Sequence, residues 1–93
     1  MGRSYIVEGT GDLITKKLDD FELPKIDFIK IDVEGHELNV LKGGINLINR
    51  DFPHIALECN ENTDNFEKTN PFMLGLNYKL IRKFEPNMYY YER

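Results

Sequence analysis

The chain has a single cysteine, Cys59, among its 93 residues. An internal disulfide and a cage of thiolate metal ligands are therefore excluded. We interpret Cys59 as a small apolar residue buried in a strand, rather than as a nucleophile. At this length the residues 1–93 are expected to form one domain with one core, since roughly 60 to 65% of the unfolded surface can be buried.

Long apolar runs and an excess of positive charge are also lacking. No run approaches the roughly 18 residues that a membrane span needs. The amino terminus, MGRSYIVEG, has no apolar core of the kind found in signal peptides. The net charge of -4 carries no signature of nucleic-acid or membrane binding. We therefore expect a cytoplasmic protein without a nucleic-acid or membrane partner.

The strongest structural signal is the segment IDFIKIDVEGHELNVLKGG, which runs from Ile26 to Gly44. Its β-branched and aromatic residues come almost without interruption up to Val33, which predicts a central parallel strand covered on both faces. An amphipathic helix is predicted from His36 to Asn49. The predicted buried face of this helix holds Leu38, Leu41, Ile45 and Ile48, and the exposed face holds Glu37, Lys42, Asn46 and Asn49.

A second strand follows the helix. The segment HIALECN, residues 54–60, alternates with Ile55, Leu57 and Cys59 on one face. A strand, a helix and a strand with this spacing predict a right-handed parallel crossover. The glycine pair Gly43 and Gly44 indicates either a close approach to another backbone or an early end of the helix.

The remaining segments predict smaller elements. Residues 61–75 are consistent with a second helix that is interrupted or begun at Pro71. The segments YKLIRKF and MYYYER predict a terminal antiparallel hairpin, in which at most two of the three tyrosines share a face. Around Leu13 we expect a short strand or edge segment, followed by a helical turn that Pro24 stops. His54, at the start of a strand, is predicted to lie on the surface without a role.

Acidic and polar side chains follow both predicted parallel strands. Asp32, Glu34 and His36 come at the carboxyl end of the first strand, and Glu58 and Asn60 at that of the second. Open parallel sheets bind ligands at this edge. Converging carboxylates can hold a divalent cation, or one of them can act as a general base with a raised pKa. His36 is another candidate base.

These residues also have purely structural interpretations. Asp32 can cap the helix or brace the loop, and Glu37 in the first helical turn is what the helix dipole favours. Lys30 lies in an otherwise apolar strand and needs a carboxylate partner, such as Asp27, Asp32 or Glu58. A structural ion pair and a substrate contact are both open for Lys30.

The segment IDFIKIDVEGHELNVLKGG resembles the FkbM family of S-adenosylmethionine-dependent methyltransferases, in which a lysine-bearing strand ends in a KIDVEG-type turn and a helix follows. LDDF upstream and FPHIALECN downstream resemble the family's adjoining segments, so the resemblance spans about residues 13 to 60. It implies the class I methyltransferase fold, a Rossmann-like sheet of seven strands that ends in a reversed hairpin. Ile26–Val33 would be its fourth strand and His54–Asn60 its fifth.

The resemblance implies S-adenosyl-L-methionine as the cofactor, but it covers only part of the family's pattern. The family's glycine-rich loop after the first strand and the acidic residue ending the second are not found. Gly9 and Gly11 in VEGTGD resemble that loop only superficially. The expected fold is thus an α/β partial class I sheet, with parallel strands and a carboxyl-terminal antiparallel hairpin. Cofactor-binding residues stay unassigned, and no metal ligand is predicted.

Two functions from different classes are compatible with these features. The first is O-methyl transfer to the hydroxyl of a small molecule or sugar. The second is a non-catalytic remnant that acts as an interaction module, through an exposed sheet edge that binds a second copy or a separate amino-terminal half. A third, a metal-dependent hydrolase, lacks a spaced ligand motif. The residues assigned to the methyl-transfer site are Asp32, Glu34 and His36 as catalytic groups and Lys30, Glu58 and Asn60 as contacts to the acceptor.

Overall fold

A computed structural model describes residues 3–8, 19, 22, 24–33, 35–59 and 65–93. The elements are β1 Ser4–Glu8, β2 Phe28–Asp32, α1 Glu37–Gly43, α2 Ile45–Asp51, β3 His54–Glu58, α3 Asn65–Gly75, β4 Lys79–Phe84 and β5 Met88–Glu92. The predicted α/β class, with parallel strands and a terminal antiparallel hairpin, is confirmed for this part of the chain. The predictions around Leu13, Gly9 and Gly11 lie outside the described residues.

The five strands form one mixed sheet in the order β1-β2-β3-β5-β4. β2 pairs in parallel with β1 on one side and with β3 on the other. β5 runs antiparallel to both β3 and β4. The predicted parallel crossover from β2 to β3 is therefore present, and it aligns the carboxyl ends of these two strands at one edge of the sheet.

Helices cover one face of the sheet. On that face Ile29 and Ile31 of β2 are buried in one apolar cluster with residues of all three helices, among them Val40, Leu41, Leu47, Ile48 and Met73. The alternate residues of β2, Phe28, Lys30 and Asp32, are only half-buried and lie outside this cluster. We call the side of the sheet that carries them the open face. The prediction that β2 is covered on both faces is confirmed for the face of Ile29 and Ile31 only, since Phe28, Lys30 and Asp32 are half-buried.

The predicted helix 36–49 is in fact two short helices. At the break the N–H of Gly44 donates to the carbonyl of Leu41 at 3.1 Å, and the carbonyl of Gly44 accepts from the N–H of Ile48 at 2.9 Å. Gly43 and Gly44 are both buried. A glycine in a helix interior costs about 0.5–1 kcal/mol, so a glycine pair is a favourable place for an interruption. Of the two explanations for this pair, the early helix end is the observed one.

Helix α3 passes through Pro71 without interruption. The prediction that the helix begins or breaks at this residue is therefore wrong. A proline in a helix removes one N–H donor to the carbonyl four residues earlier. Both Pro71 and Glu67 are exposed, so solvent can satisfy the carbonyl that loses its partner.

The predicted hairpin is confirmed, and its tyrosines alternate as expected. Tyr89 and Tyr91 are buried against the helices, whereas Tyr90 lies on the open face. The hydroxyl of Tyr91 donates to Oδ1 of Asn70 at 2.5 Å, which ties β5 to α3. All six residues of the edge strand β4 are exposed.

Contacts at the amino ends of β2 and β3 hold the two strands in register. The carboxylate of Asp51, at the end of α2, accepts the N–H of Ile26 at 3.0 Å and the guanidinium of Arg50 at 2.7 Å. The N–H of His54 donates to the carbonyl of Asp27 at 2.9 Å. These contacts set the alignment of the opposite, carboxyl ends.

Candidate functional site

Two predicted site residues lie side by side where β2 and β3 end. Asp32 is the last residue of β2 and Glu58 the last of β3. The register pairs Lys30 with Ala56, so the residues two positions further along, Asp32 and Glu58, also share the open face. Neighbouring strands lie about 4.8 Å apart. Two half-buried carboxyl groups thus lie together at the edge of the sheet where ligands bind to parallel sheets.

Lys30 lies one step behind these carboxylates on the open face. Its neighbours across the sheet are Ile6 on β1 and Ala56 on β3. The expected ion pair of Lys30 is wrong for the described part of the chain, where none of the three candidate carboxylates pairs with it. Lys30 is half-exposed, so water can solvate its ammonium group. Its amine is therefore available to a ligand on the open face.

A tight turn connects β2 to α1. The carbonyl of Val33 accepts the N–H of His36 at 3.2 Å. Gly35 has a φ of 95°, a conformation that glycine adopts without strain at the third position of such a turn. His36 is exposed at the start of α1, and its side chain makes no capping hydrogen bond. Its imidazole is therefore open to solvent and to a ligand.

The predicted site is only partly within the described residues. Asp32, His36, Lys30 and Glu58 are placed by the structure at or near the carboxyl edge of β2 and β3. Glu34 and Asn60 lie outside the described residues, so their assignments stay predictions. His54 is exposed, as expected, and its Nδ1 lies 2.6 Å from the hydroxyl of Tyr90 at the opposite edge of the sheet.

Glu37 is the residue at this edge that sequence reasoning missed. It was predicted to face outward from the helix, but it is 0% exposed, so that prediction is wrong. Its Oε2 accepts the N–H of Gly35 at 2.8 Å. Its Oε1 is buried and accepts no hydrogen bond within the described part of the chain. The spacing of four residues between Glu37 and the buried Leu41 is the signal that could have placed it on the inner face.

The thiol of Cys59 lies against the carboxylate of Glu37, just beyond the end of β3. Burial, the negative charge of Glu37 and a hydrogen bond to its carboxylate raise the pKa of this thiol to about 12. Cys59 is buried, as predicted for a small residue on the inner face of a strand. With so high a pKa it is protonated at neutral pH and is unsuited to act as a nucleophile.

Two properties of the described residues bear on other functions. Within them no three His, Cys, Asp or Glu side chains are arranged so as to bind a metal ion. None of the helices in the described ranges has the length and apolar character needed to cross a membrane.

A family model matches most of the chain. The model of the methyltransferase FkbM domain matches residues 10–80, which is more than half of the chain. The matched range includes β2, the turn after it, β3 and α3. No curated protein and no solved structure matches the chain.

Proposed function

The chain belongs to the FkbM methyltransferase family, and on this premise we propose that it transfers the methyl group of S-adenosyl-L-methionine to a hydroxyl oxygen of a small molecule or sugar. The observation that supports this most is the pair of half-buried carboxyl groups, Asp32 and Glu58, at the aligned ends of two parallel strands. Such an edge is where Rossmann-like sheets bind their ligands. We further propose that the sheet is part of a class I methyltransferase fold and that the protein is cytoplasmic.

The chain's own groups would hold the acceptor and take its proton. When bound, the cofactor supplies an electrophilic methyl group on a sulfonium cation. The carboxylate of Asp32 or the imidazole of His36 would take the proton of the acceptor hydroxyl as its oxygen is methylated. Lys30 and Glu58 lie on the same face and would bind other polar groups of the acceptor. Glu34 is proposed as a further proton acceptor and Asn60 as a further contact.

The negative charge at this edge of the sheet matches the positive charge of the cofactor. Two unit charges of opposite sign about 4 Å apart interact by about 4 kcal/mol at the effective dielectric constant of a protein surface. The carboxylate of Asp32 is thus suited to a sulfonium cation. The residues that would bind the adenosine portion remain unassigned.

Calorimetric titration with S-adenosylmethionine and S-adenosylhomocysteine tests the proposal. We expect saturable binding of both compounds by the unaltered chain. Asp32→Asn should weaken binding of S-adenosylmethionine about tenfold or more but that of S-adenosylhomocysteine much less, because only the former carries the sulfonium charge. Asp27→Asn is the matched control, since its carboxylate accepts the N–H of Arg3 at the other end of β2.

Two results would contradict the proposal. One is the absence of saturable heat with either compound. The other is an equal loss of affinity in the Asp32→Asn and Asp27→Asn variants, which would show that the carboxyl edge of β2 is not where the cofactor binds.

A second candidate function, binding of a partner chain alongside an outermost strand of the sheet, is supported by the edge strand β4. All its residues are exposed, including Leu80, Ile81 and Phe84 at 39%, 51% and 47%. An exposed edge strand presents backbone groups that can pair with another chain. Light scattering after size-exclusion chromatography distinguishes the two functions. This function is supported if the chain is a dimer, if Ile81→Lys dissociates the dimer, and if the chain does not bind the cofactor. A monomer that binds the cofactor excludes it.

A further inference from the structure

Glu37 presents a buried carboxylate whose position core packing does not explain. It is fully buried in the first turn of α1, and within the described residues its Oε2 accepts the N–H of Gly35 while its Oε1 accepts no hydrogen bond. Burying a charged group with an unfilled acceptor destabilises a protein, and an apolar side chain of similar volume at such a position is often neutral or stabilising. A buried polar group left unsatisfied calls for a reason other than stability.

The carboxylate of Glu37 interacts with the segments that follow two strands. Its Oε2 accepts from Gly35, in the turn that follows β2. Its negative charge and a hydrogen bond also act on the thiol of Cys59, directly after β3. Glu37 therefore bridges the segments that leave β2 and β3, at the edge where the candidate site lies.

The hydrogen bond to Gly35 holds a conformation that the backbone does not adopt by default. Gly35 has a positive φ of 95°, and glycine is the residue with the widest choice of alternative conformations. The turn has one further restraint among the described residues, the 3.2 Å hydrogen bond from His36 to the carbonyl of Val33. Loss of the carboxylate leaves the N–H of Gly35 without its acceptor and the turn with a single restraint.

We propose that Glu37 is a positioning residue, whose carboxylate holds the backbone of the turn after β2 in the conformation that presents Asp32 and His36 at the carboxyl end of this strand. This inference rests on the proposed function for what the turn serves. Glu37 does not touch the acceptor or the cofactor in this scheme, since it is fully buried. It acts through the backbone of Gly35.

Two substitutions separate positioning from simple filling of the core. Glu37→Gln keeps an oxygen that can accept from Gly35 and removes the charge. Glu37→Met keeps similar volume and removes the acceptor. Thr69→Val is the matched control, because Thr69 is also a buried polar residue, at 1% exposure, but lies on α3. The three readouts are the melting temperature, the hydrogen exchange of the Gly35 amide by NMR, and the affinity for S-adenosylhomocysteine.

The expected results separate stability from function. In Glu37→Met the melting temperature should change little, because removal of a buried charged group offsets the loss of the hydrogen bond to Gly35. Exchange of the Gly35 amide should speed up, and affinity should fall, by about tenfold or more each, because a hydrogen bond to a charged group is lost. Glu37→Gln should keep the slow exchange and most of the affinity, and Thr69→Val should change neither.

Three results would overturn the inference. The first is Glu37→Met with unchanged exchange at Gly35. The second is Glu37→Met in which melting temperature and affinity fall together, as expected of a residue that only fills the core. The third is a folded Glu37→Gln that keeps slow exchange at Gly35 but loses affinity, which would assign the effect to the charge. If the unaltered chain binds no S-adenosylhomocysteine, the proposed function fails, and Gly35 exchange still decides whether Glu37 holds the turn.

Discussion

Replacement of Gly35 by alanine tests the turn after β2 by a route that is independent of the carboxylate. Gly35 has a φ of 95°, where an L-residue places its Cβ too close to the backbone at a cost of roughly 1–2 kcal/mol. For a domain of 60 to 100 residues, each 1 kcal/mol lowers the melting temperature by about 4–8 °C. We therefore expect Gly35→Ala to melt roughly 4–16 °C below the unaltered chain.

Gly75→Ala is the matched control for this substitution. Gly75 ends α3, and a Cβ added there meets no atom within 4 Å. Alanine at a site whose backbone it can adopt stabilises by about 0.4–1 kcal/mol, mainly by restricting the unfolded chain. Thermal unfolding followed by circular dichroism should thus show opposite shifts for the two variants. A Gly35→Ala variant as stable as the unaltered chain would refute the assignment of a positive φ that only glycine accepts easily.

Three further predictions concern single side chains. Tyr78→Phe should lower the free energy of unfolding, measured in urea, by about 1–3 kcal/mol, because the buried carbonyl of Pro53 loses the 2.6 Å hydrogen bond from the tyrosine hydroxyl. Unchanged stability would contradict that hydrogen bond. The hydrogen bond from Arg50 lowers the pKa of Asp51, so Asp51 stabilises the fold at neutral pH and this contribution is lost as the pH falls through its lowered pKa. The Asp51→Asn variant should therefore have a lower free energy of unfolding than the unaltered chain at pH 7, and this free energy should fall less as the pH is lowered. If both proteins lose the same stability on acidification, the hydrogen bond between Arg50 and Asp51 does not stabilise the fold. Burial and the adjacent carboxylate raise the pKa of Cys59 to about 12. Cys59 should therefore react with iodoacetamide on the order of a thousandfold more slowly in the folded chain than in urea. Equal rates would contradict its burial.

The strands that form the site could be predicted because their signals are local. The β-branched run of β2 is broken by Gly35, and the alternation of β3 places Ile55, Leu57 and Cys59 on one face, as the structure has them. Parallel pairing of the two strands follows from the length of the connection between them. The placement of Asp32 and Glu58 at one edge needed no further information, although their roles stay predictions.

The features that were not predicted depend on contacts between distant segments. A glutamate in a first helical turn ordinarily faces solvent, and only the docking of α1 against the strand ends buries Glu37. Which face of β2 is half-exposed depends on where the helices pack. The apolar run of β2 alone does not predict this packing. The uninterrupted passage of α3 through Pro71 is a case in which the surrounding structure outweighs local propensity.

The most direct test of the central claim is an NMR titration of the ¹⁵N-labelled chain with S-adenosylhomocysteine. We expect the shifted amide signals to cluster at the carboxyl ends of β2 and β3, at Val33, Gly35, His36 and Cys59, while those of His54 and Glu92 at the opposite ends of the strands stay unchanged. An absence of shifts at saturating compound, or shifts confined to the opposite edge, would contradict a methyltransferase site at the ends of these two strands.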